Sequence, residues 1–471
     1  MPPFILRFRN KTELNVALLS VVFTLACSLL FKYGGFDVKT AALLIAIPLF
    51  FVAIANTELL IFSIVILLFS EANLSIYKLA VLSSIPFLAS YLVTYKKNGQ
   101  SVYFNPLVLP FCIYLLSIIP SLINSSNVYL SLLYLFNLVS IAVTAYFTGA
   151  YIKEYKPIKR IAFLYILLSV ANGIHVLCEA YLTDARVFGF AGIVYVDFVC
   201  VAILIVVVRV LYYRKRFLIP HLFLFCVLLM SLLETQTRNT MLSLAATLCV
   251  MVGYLLYNAD VFAVNRRKIV VGLCLVAVIA LGGIVFAVST MPQALGRFSE
   301  LFVKEQIQIS GADDFGKSSM VTRLLIWYTA GNAFLEHPII GIGAYSFPFM
   351  SQEYNTLPNV LYELFVEKLS PHVTYLAVLT ETGIIGLIGF VVFLFSTIKT
   401  ANQSVRMAST KKQRYYSLGI LTLQVYVIFS MVMTDAWLWG RCGMLWALIL
   451  GVSLANYNIV KKDSRAFEDR Q

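Results

Sequence analysis

The sequence predicts an all-α fold, a polytopic transmembrane helical bundle, and three observations carry that expectation. Of 471 residues, 60% are hydrophobic and only 13% are charged, and the mean hydropathy is +0.86. Apolar runs near the length that crosses ~30 Å of hydrocarbon as a helix recur from one end of the chain to the other. The ~10-residue segments of alternating polarity that a transmembrane barrel needs do not occur.

Taken in order, the predicted spans fall near 14–32, 40–55, 58–70, 78–95, 106–123, 129–152, 158–182, 193–213, 217–234, 240–257, 268–290, 373–398, 415–433 and 442–458. The runs at 40–55 and 58–70 are short, so the expected count is about 12–14. Residues 1–290 then hold the first eleven spans, 291–372 one large loop, 373–458 the last three spans and 459–471 a tail. The first run, Leu14–Phe31, is long and lacks a small-residue cleavage site, so it is expected to stay as a span. Pro110 and Pro120 are expected to kink or end the helix near 106–123.

Alternate gaps carry the positive charge. Two thirds of the 36 lysines and arginines lie on one side, among them Lys96, Lys153, Arg214, Arg266, Lys411 and Lys461. That bias marks the cytoplasmic face and puts both termini there, leaving the 291–372 loop outside. The net charge of +13 is therefore a matter of membrane topology, and nucleic acid is not an expected partner. All eight cysteines sit within or at the edge of spans, with no CxxC pair, and read as small buried hydrophobes.

Within the large loop, Thr322–Phe334 has a helical apolar stripe at Leu324, Trp327, Ala330 and Phe334, expected to lie on the membrane surface. Pro338 and the Gly341–Gly343 pair should end that helix sharply. Pro358–Leu369 reads as a second short amphipathic helix, and Pro371–His372 opens the next span.

Candidate site residues are few, because the chain is so apolar. Arg186, Arg238, Arg323, His372 and Arg441 all fall on the outer face, although 255 positions separate the first from the last. Trp327 shares a helix face with Arg323. Two or three arginines at the membrane's outer edge suit bidentate binding of a diphosphate. A diphosphate at that depth is the head group of a polyprenyl-linked sugar, whose tail the apolar bundle would receive. The matching chemistry is glycosyl transfer, with arginines stabilising the leaving group and a near-neutral histidine taking or orienting the acceptor proton. Neither a metal nor another cofactor is needed for it. Asp313–Asp314 is a weak metal signal without partner ligands. Glu381, an intramembrane carboxylate, is a secondary candidate, and His175 is expected to be a packed core histidine.

The run Arg323-x3-Trp327, His337-Pro338-Ile-Ile-Gly341-Ile-Gly343, and Pro371-His372-x2-Tyr375-x5-Glu381-x-Gly383-Ile-Ile-Gly386 resembles the O-antigen ligase and polymerase family over roughly residues 183–390. Arg186 lies in an RxxG stretch similar to the family's, and Arg238 in a turn similar to its SRxA type. Thr237 stands where the family often has serine, and Val373 where asparagine often follows the histidine. The resemblance implies an all-helical bundle of the glycosyltransferase C type in a bacterial inner membrane, with its site facing the periplasm. It implies arginines binding undecaprenyl diphosphate and a histidine serving a glycan acceptor. Two activities fit. One is a polymerase of surface-polysaccharide repeats, favoured by the larger span count and sometimes paired with a chain-length regulator. The other is a ligase moving finished polymer onto lipid A core. A lipid-linked oligosaccharide flippase is the reading from another class, and it would need ionisable groups near the bilayer midplane, of which the spans are expected to hold almost none beyond His175 and Glu381.

Overall fold

The computed structural model describes a few positions between 61 and 69, then residues 105–182, 187–212, 218–262, 319–438 and 440–468. The predicted spans at 14–32, 40–55, 78–95 and 268–290, most of 58–70, loop residues 291–318 and Arg186 lie outside the described residues. Within them every regular element is helical, and seven helices are long and apolar enough to cross a membrane.

Helix α1 (Val108–Ile118) gives way at once to a 3-10 segment, Ile119–Asn124. Pro120 enforces the change, since it offers no backbone donor to continue the α pattern. Helix α2 (Val128–Tyr151) is capped by Asn127, whose side chain accepts from the Leu130 N–H. Helix α3 (Tyr155–Leu182) leads towards a 3-10 segment, Gly189–Val194, which runs into α4 (Tyr195–Tyr212). Helices α5 (Leu218–Glu234) and α6 (Arg238–Tyr257) are joined by a short turn and then diverge, α5 towards its neighbours α3 and α4 and α6 towards the helix at Lys411–Met433. The loop supplies α7 (Ser319–Glu336) and the short α8 (Asn359–Phe365). Three long helices close the chain: α9 (Thr374–Met407), α10 (Lys411–Met433) and α11 (Gly440–Glu468). A capping box of Thr410 and Gln413 starts α10.

Helix α4 is the axis of the bundle. Cys200, Val201, Ala202, Ile203 and Leu204 are all buried, so no face of this stretch is left to lipid. It packs against α3, α5 and α10, while α11 runs along α2 where Thr148, Gly149 and Gly451 keep side chains small. Polar ties stitch the layers. Tyr155 Oη donates to Asn456 Oδ1 at 3.1 Å, and Asn456 Nδ2 donates to Ser417 Oγ at 2.8 Å.

Three expectations need correction. The spans are less free of ionisable groups than predicted: Asp197 of α4 is buried and accepts hydrogen bonds from Tyr426 Oη and Ser430 Oγ, both at 2.8 Å. Of the described cysteines, Cys200 and Cys442 are buried, but Cys112, Cys178, Cys226 and Cys249 face outward. A thiol is apolar enough to face lipid, so a cysteine in a span does not report burial. The third concerns α7. Its buried face is Ile326, Ala330 and Ala333, while Leu324 is exposed. That face packs on a small loop core with Ile342, Phe347, Tyr354, Tyr362 and Phe365, so the stripe serves the loop's own interior.

Candidate active site

The scaffold of the site is a seam between the end of α7 and a break in α9. At Gly383 the backbone leaves helical geometry, with φ 65° and ψ −169°. The break frees carbonyls and amides that the loop after α7 then pairs. Ile342 N–H donates to Thr380 O at 3.1 Å and Gly343 N–H to Glu381 O at 2.9 Å; Ile384 N–H donates back to Pro338 O at 2.9 Å. The two chains lie so close that a Cβ on Gly341 would meet the Glu381 carbonyl carbon at 2.4 Å, and one on Gly383 the Ile339 oxygen at 2.3 Å. Both positions also have positive φ, which glycine adopts without cost. The Glu381 carboxylate is buried and accepts from the Tyr345 and Phe347 N–H groups at 3.0 and 3.4 Å. Both of its oxygens thus hold the turn.

This seam sets the height of α7 against α9, and with it two of the predicted residues. Trp327 Nε1 donates to Pro371 O at 3.0 Å, fixing the residue before His372. His372 itself has φ 55°, a left-handed conformation uncommon outside glycine and asparagine. Beyond it, Thr374 donates through both N–H and Oγ1 to Thr434 O, at 3.3 and 2.6 Å, joining the start of α9 to the end of α10. The residue after Thr434 is Asp435, and its Oδ1 lies 3.9 Å from His372 Nδ1. The imidazole is 39% exposed, so one edge reaches solvent while Asp435 stands behind the other.

Arg323 completes the cluster. Its Nη1 donates to Met433 O at 3.3 Å. With the Asn239 amide turned oxygen-inward, that oxygen accepts from both terminal guanidinium nitrogens, at 2.6 and 2.9 Å. Burial and the facing charges tune the titrating groups. Burial holds the His372 imidazole below its usual 6.5; Asp435 opposes this and the Arg323 charge adds to it. The lowered value favours the neutral imidazole, the form that can accept a proton. Burial likewise lowers the Arg323 guanidinium, and Asp435 works against the fall.

Of the other arginines, Arg238 and Arg441 lie at the same end of the bundle. Arg238 opens α6 one residue before Asn239, after a turn in which Gln236 has φ 51°, so its backbone is brought beside Arg323. Arg441, at the start of α11, donates through Nη1 to Ala191 O at 2.8 Å and so braces the 3-10 segment after the α3–α4 connection. Arg186 belongs to that connection but lies outside the described residues. His175 is not packed in the core as expected: it is partly exposed, 3.5 Å from Glu179 and tilted against the Phe190 ring. Glu179 also accepts from the Gly189 N–H at 3.2 Å. Among the described residues no three His, Cys, Asp or Glu side chains converge as metal ligands do.

Sequence reasoning missed Asn239 and Asp435. Each had a signal: Asn239 adjoins a candidate arginine in an outer turn, and Asp435 is the lone carboxylate opening the short gap that ends at Arg441.

Residues 180–391 match the family model described as O-Antigen ligase, a stretch that contains Arg186, Arg238, Arg323 and His372. Two proteins named "Putative polysaccharide ligase" are similar over 144 residues: one from Rickettsia conorii at 26% identity and one from Rickettsia felis at 27%. In both cases the similarity covers 30% of this chain and 34% of the relative, so it spans about a third of the relatives' length.

Proposed function

We propose, taking the match of residues 180–391 to the O-antigen ligase family as premise, that this membrane protein transfers glycan from a polyprenyl diphosphate to a sugar acceptor. The observation that carries the reading is the meeting of an oriented guanidinium and a carboxylate-backed imidazole at one end of the bundle. Arg323 is held by Asn239 and Met433 O, with His372 backed by Asp435. An acceptor hydroxyl attacks the sugar carbon that bears the diphosphate. His372 takes the hydroxyl proton, the new carbon–oxygen bond forms, and the bond to the diphosphate oxygen breaks. Asp435 stabilises the imidazolium so produced, and Arg323 the charge that grows on the diphosphate. Arg186, Arg238 and Arg441 are the further arginines assigned to that diphosphate, and Trp327 holds the loop that presents His372.

No step of this scheme calls on a divalent cation, so excess EDTA should leave the rate unchanged. We take undecaprenyl diphosphate as the lipid carrier and the bacterial inner membrane as the location, with the site facing the periplasm. Between the two acceptors, the ligase reading takes precedence over the polymerase one, because the matching family and the relatives carry ligase names. The span count that favoured the polymerase rests on segments outside the described residues.

The test is to incubate purified protein with undecaprenyl-diphosphate oligosaccharide, alone and with lipid A core. Glycan appearing on the core lipid supports the ligase. Lengthening of the lipid-linked chain in its absence points to the polymerase. Movement of the intact donor across vesicles with no new glycosidic bond in either case would overturn glycosyl transfer.

A further inference from the structure

Towards the opposite end of the bundle, α3, α4, α10 and α11, together with Val65, line a half-open pocket of about 150 Å³ that the proposed reaction does not touch. Its walls are apolar, with Ile161, Ala162, Val201, Ile205, Leu445 and Ile449 among them. Its mouth is basic and aromatic. Lys159 and Arg209 line it together with Tyr212 and Tyr415. Lys411 Nζ stands over both of those rings, 5.8 Å from Tyr212 and 5.6 Å from Tyr415, and Lys412 Nζ over Tyr155 at 4.7 Å. Lys412 and Arg209 are close enough to act on Lys159 electrostatically. Asp463, close to this group, is engaged by Gln413 Nε2 at 2.7 Å.

Position separates this feature from ordinary basic flanks. Lys159 is in the first turns of α3, Arg209 in the last turn of α4, and Lys411 begins α10. Three helices thus bring cations to one opening, and aromatic rings hold Lys411 and its neighbour Lys412 there. The like charges repel one another, a cost that an anion between them would remove. Behind the opening lies apolar space. A basic mouth leading into an apolar slot between transmembrane helices has the form of an anionic lipid head-group site.

We propose that this cavity binds one anionic glycerophospholipid of the leaflet on the basic face. An acyl chain would lie among Ala162, Val201 and Ile449, with the phosphate at Lys159, Arg209 and Lys412. The site is independent of which glycan reaction the far end performs.

Native mass spectrometry of the purified full chain tests this, with equal phosphatidylglycerol and phosphatidylcholine of the same acyl chains. The wild type should retain one phosphatidylglycerol in preference to phosphatidylcholine by roughly tenfold or more, as several basic groups near a membrane surface provide. Lys159→Gln combined with Arg209→Gln and Lys412→Gln should abolish the preference. Ala162→Phe, which fills the slot and leaves the charges, should lower retention of both lipids. Water-soluble glycerol phosphate should not displace the bound lipid. Equal retention of the two lipids by the wild type, which needs no variant to fold, would overturn the proposal. So would an undiminished preference in the triple variant, full retention in Ala162→Phe, or displacement by glycerol phosphate.

Discussion

His372 occupies a conformation that most side chains avoid, and the surrounding contacts maintain it. Trp327 fixes Pro371 on one side, and Thr374 is tied to Thr434 on the other. A left-handed non-glycine residue costs on the order of 1 kcal/mol, so a substitution here risks confusing backbone relief with lost chemistry. Asparagine tolerates that region. His372→Asn should therefore keep the melting behaviour of the parent while slowing transfer on the order of 10²–10⁴-fold, with donor binding retained. A well-folded His372→Asn protein with parental turnover would remove the base role. The pH dependence follows from the lowered imidazole value. Activity should be level above pH 6.5 and fall only below it, as the buried ring finally protonates. The sign for stability is the same: this histidine's contribution is present above its unfolded value and lost as pH drops through the folded one. Asp435→Asn removes the group that holds the imidazole value up, so the acid limb should move to still lower pH while the maximal rate falls. An unmoved limb would separate Asp435 from His372. Arg323→Lys should fail to restore transfer, because an ammonium cannot span the Asn239 oxygen and Met433 O and still present a planar fork.

At the scale of elements, glycine and proline spacing made the turns legible, while the partners of those turns stayed hidden. Pro338 and Gly341–Gly343 mark the end of α7 from sequence alone, and the helix does stop at Glu336. What sequence did not reveal is that Gly383, some forty positions on, opens α9 to receive that turn. A glycine in an apolar run looks the same whether it packs a helix or breaks one. Glu381 shows the same limit: its backbone N–H partners across the seam cannot be read from a carboxylate in an apolar run. Gly383→Ala should destabilise the protein by about 1–3 kcal/mol, the cost of a strained left-handed residue plus a clash. It should also lower activity by shifting α7, and with it Arg323 and Trp327. Asp197 offers a second test of element packing. Asp197→Leu would strand the buried Tyr426 and Ser430 hydroxyls, each unmet group costing about 1–3 kcal/mol, whereas Asn keeps an acceptor. Melting of the two variants should differ in that order, and equal stability would deny the α4–α10 tie its weight.

For the whole molecule, the hydrophobic runs marked the helical class and most described spans to within a few residues. The predicted 129–152, 240–257 and 415–433, for instance, appear as Val128–Tyr151, Arg238–Tyr257 and Lys411–Met433. Helices α9 and α11, by contrast, run about ten residues past the predicted 373–398 and 442–458. Helix ends carry the differences, because charged and capping residues extend a helix past its apolar centre without changing hydropathy. Sidedness was argued from charge alone, and the fold agrees with it in one respect. Arg323, His372, Asp435 and Arg441 gather at one end, and the Lys159, Arg209, Lys411 and Lys412 group at the other. If the positive-inside bias governs insertion, the first end faces outward. The experiment places single cysteines in a background freed of native ones, at Gln352 in the loop before α8 and at Ser409 between α9 and α10, both exposed positions. In intact cells a membrane-impermeant thiol reagent should label Gln352→Cys at once and Ser409→Cys only after the membrane is opened. The reverse pattern would turn the cluster towards the cytoplasm, where a periplasmic glycan acceptor never arrives, and the proposed reaction would have to be abandoned.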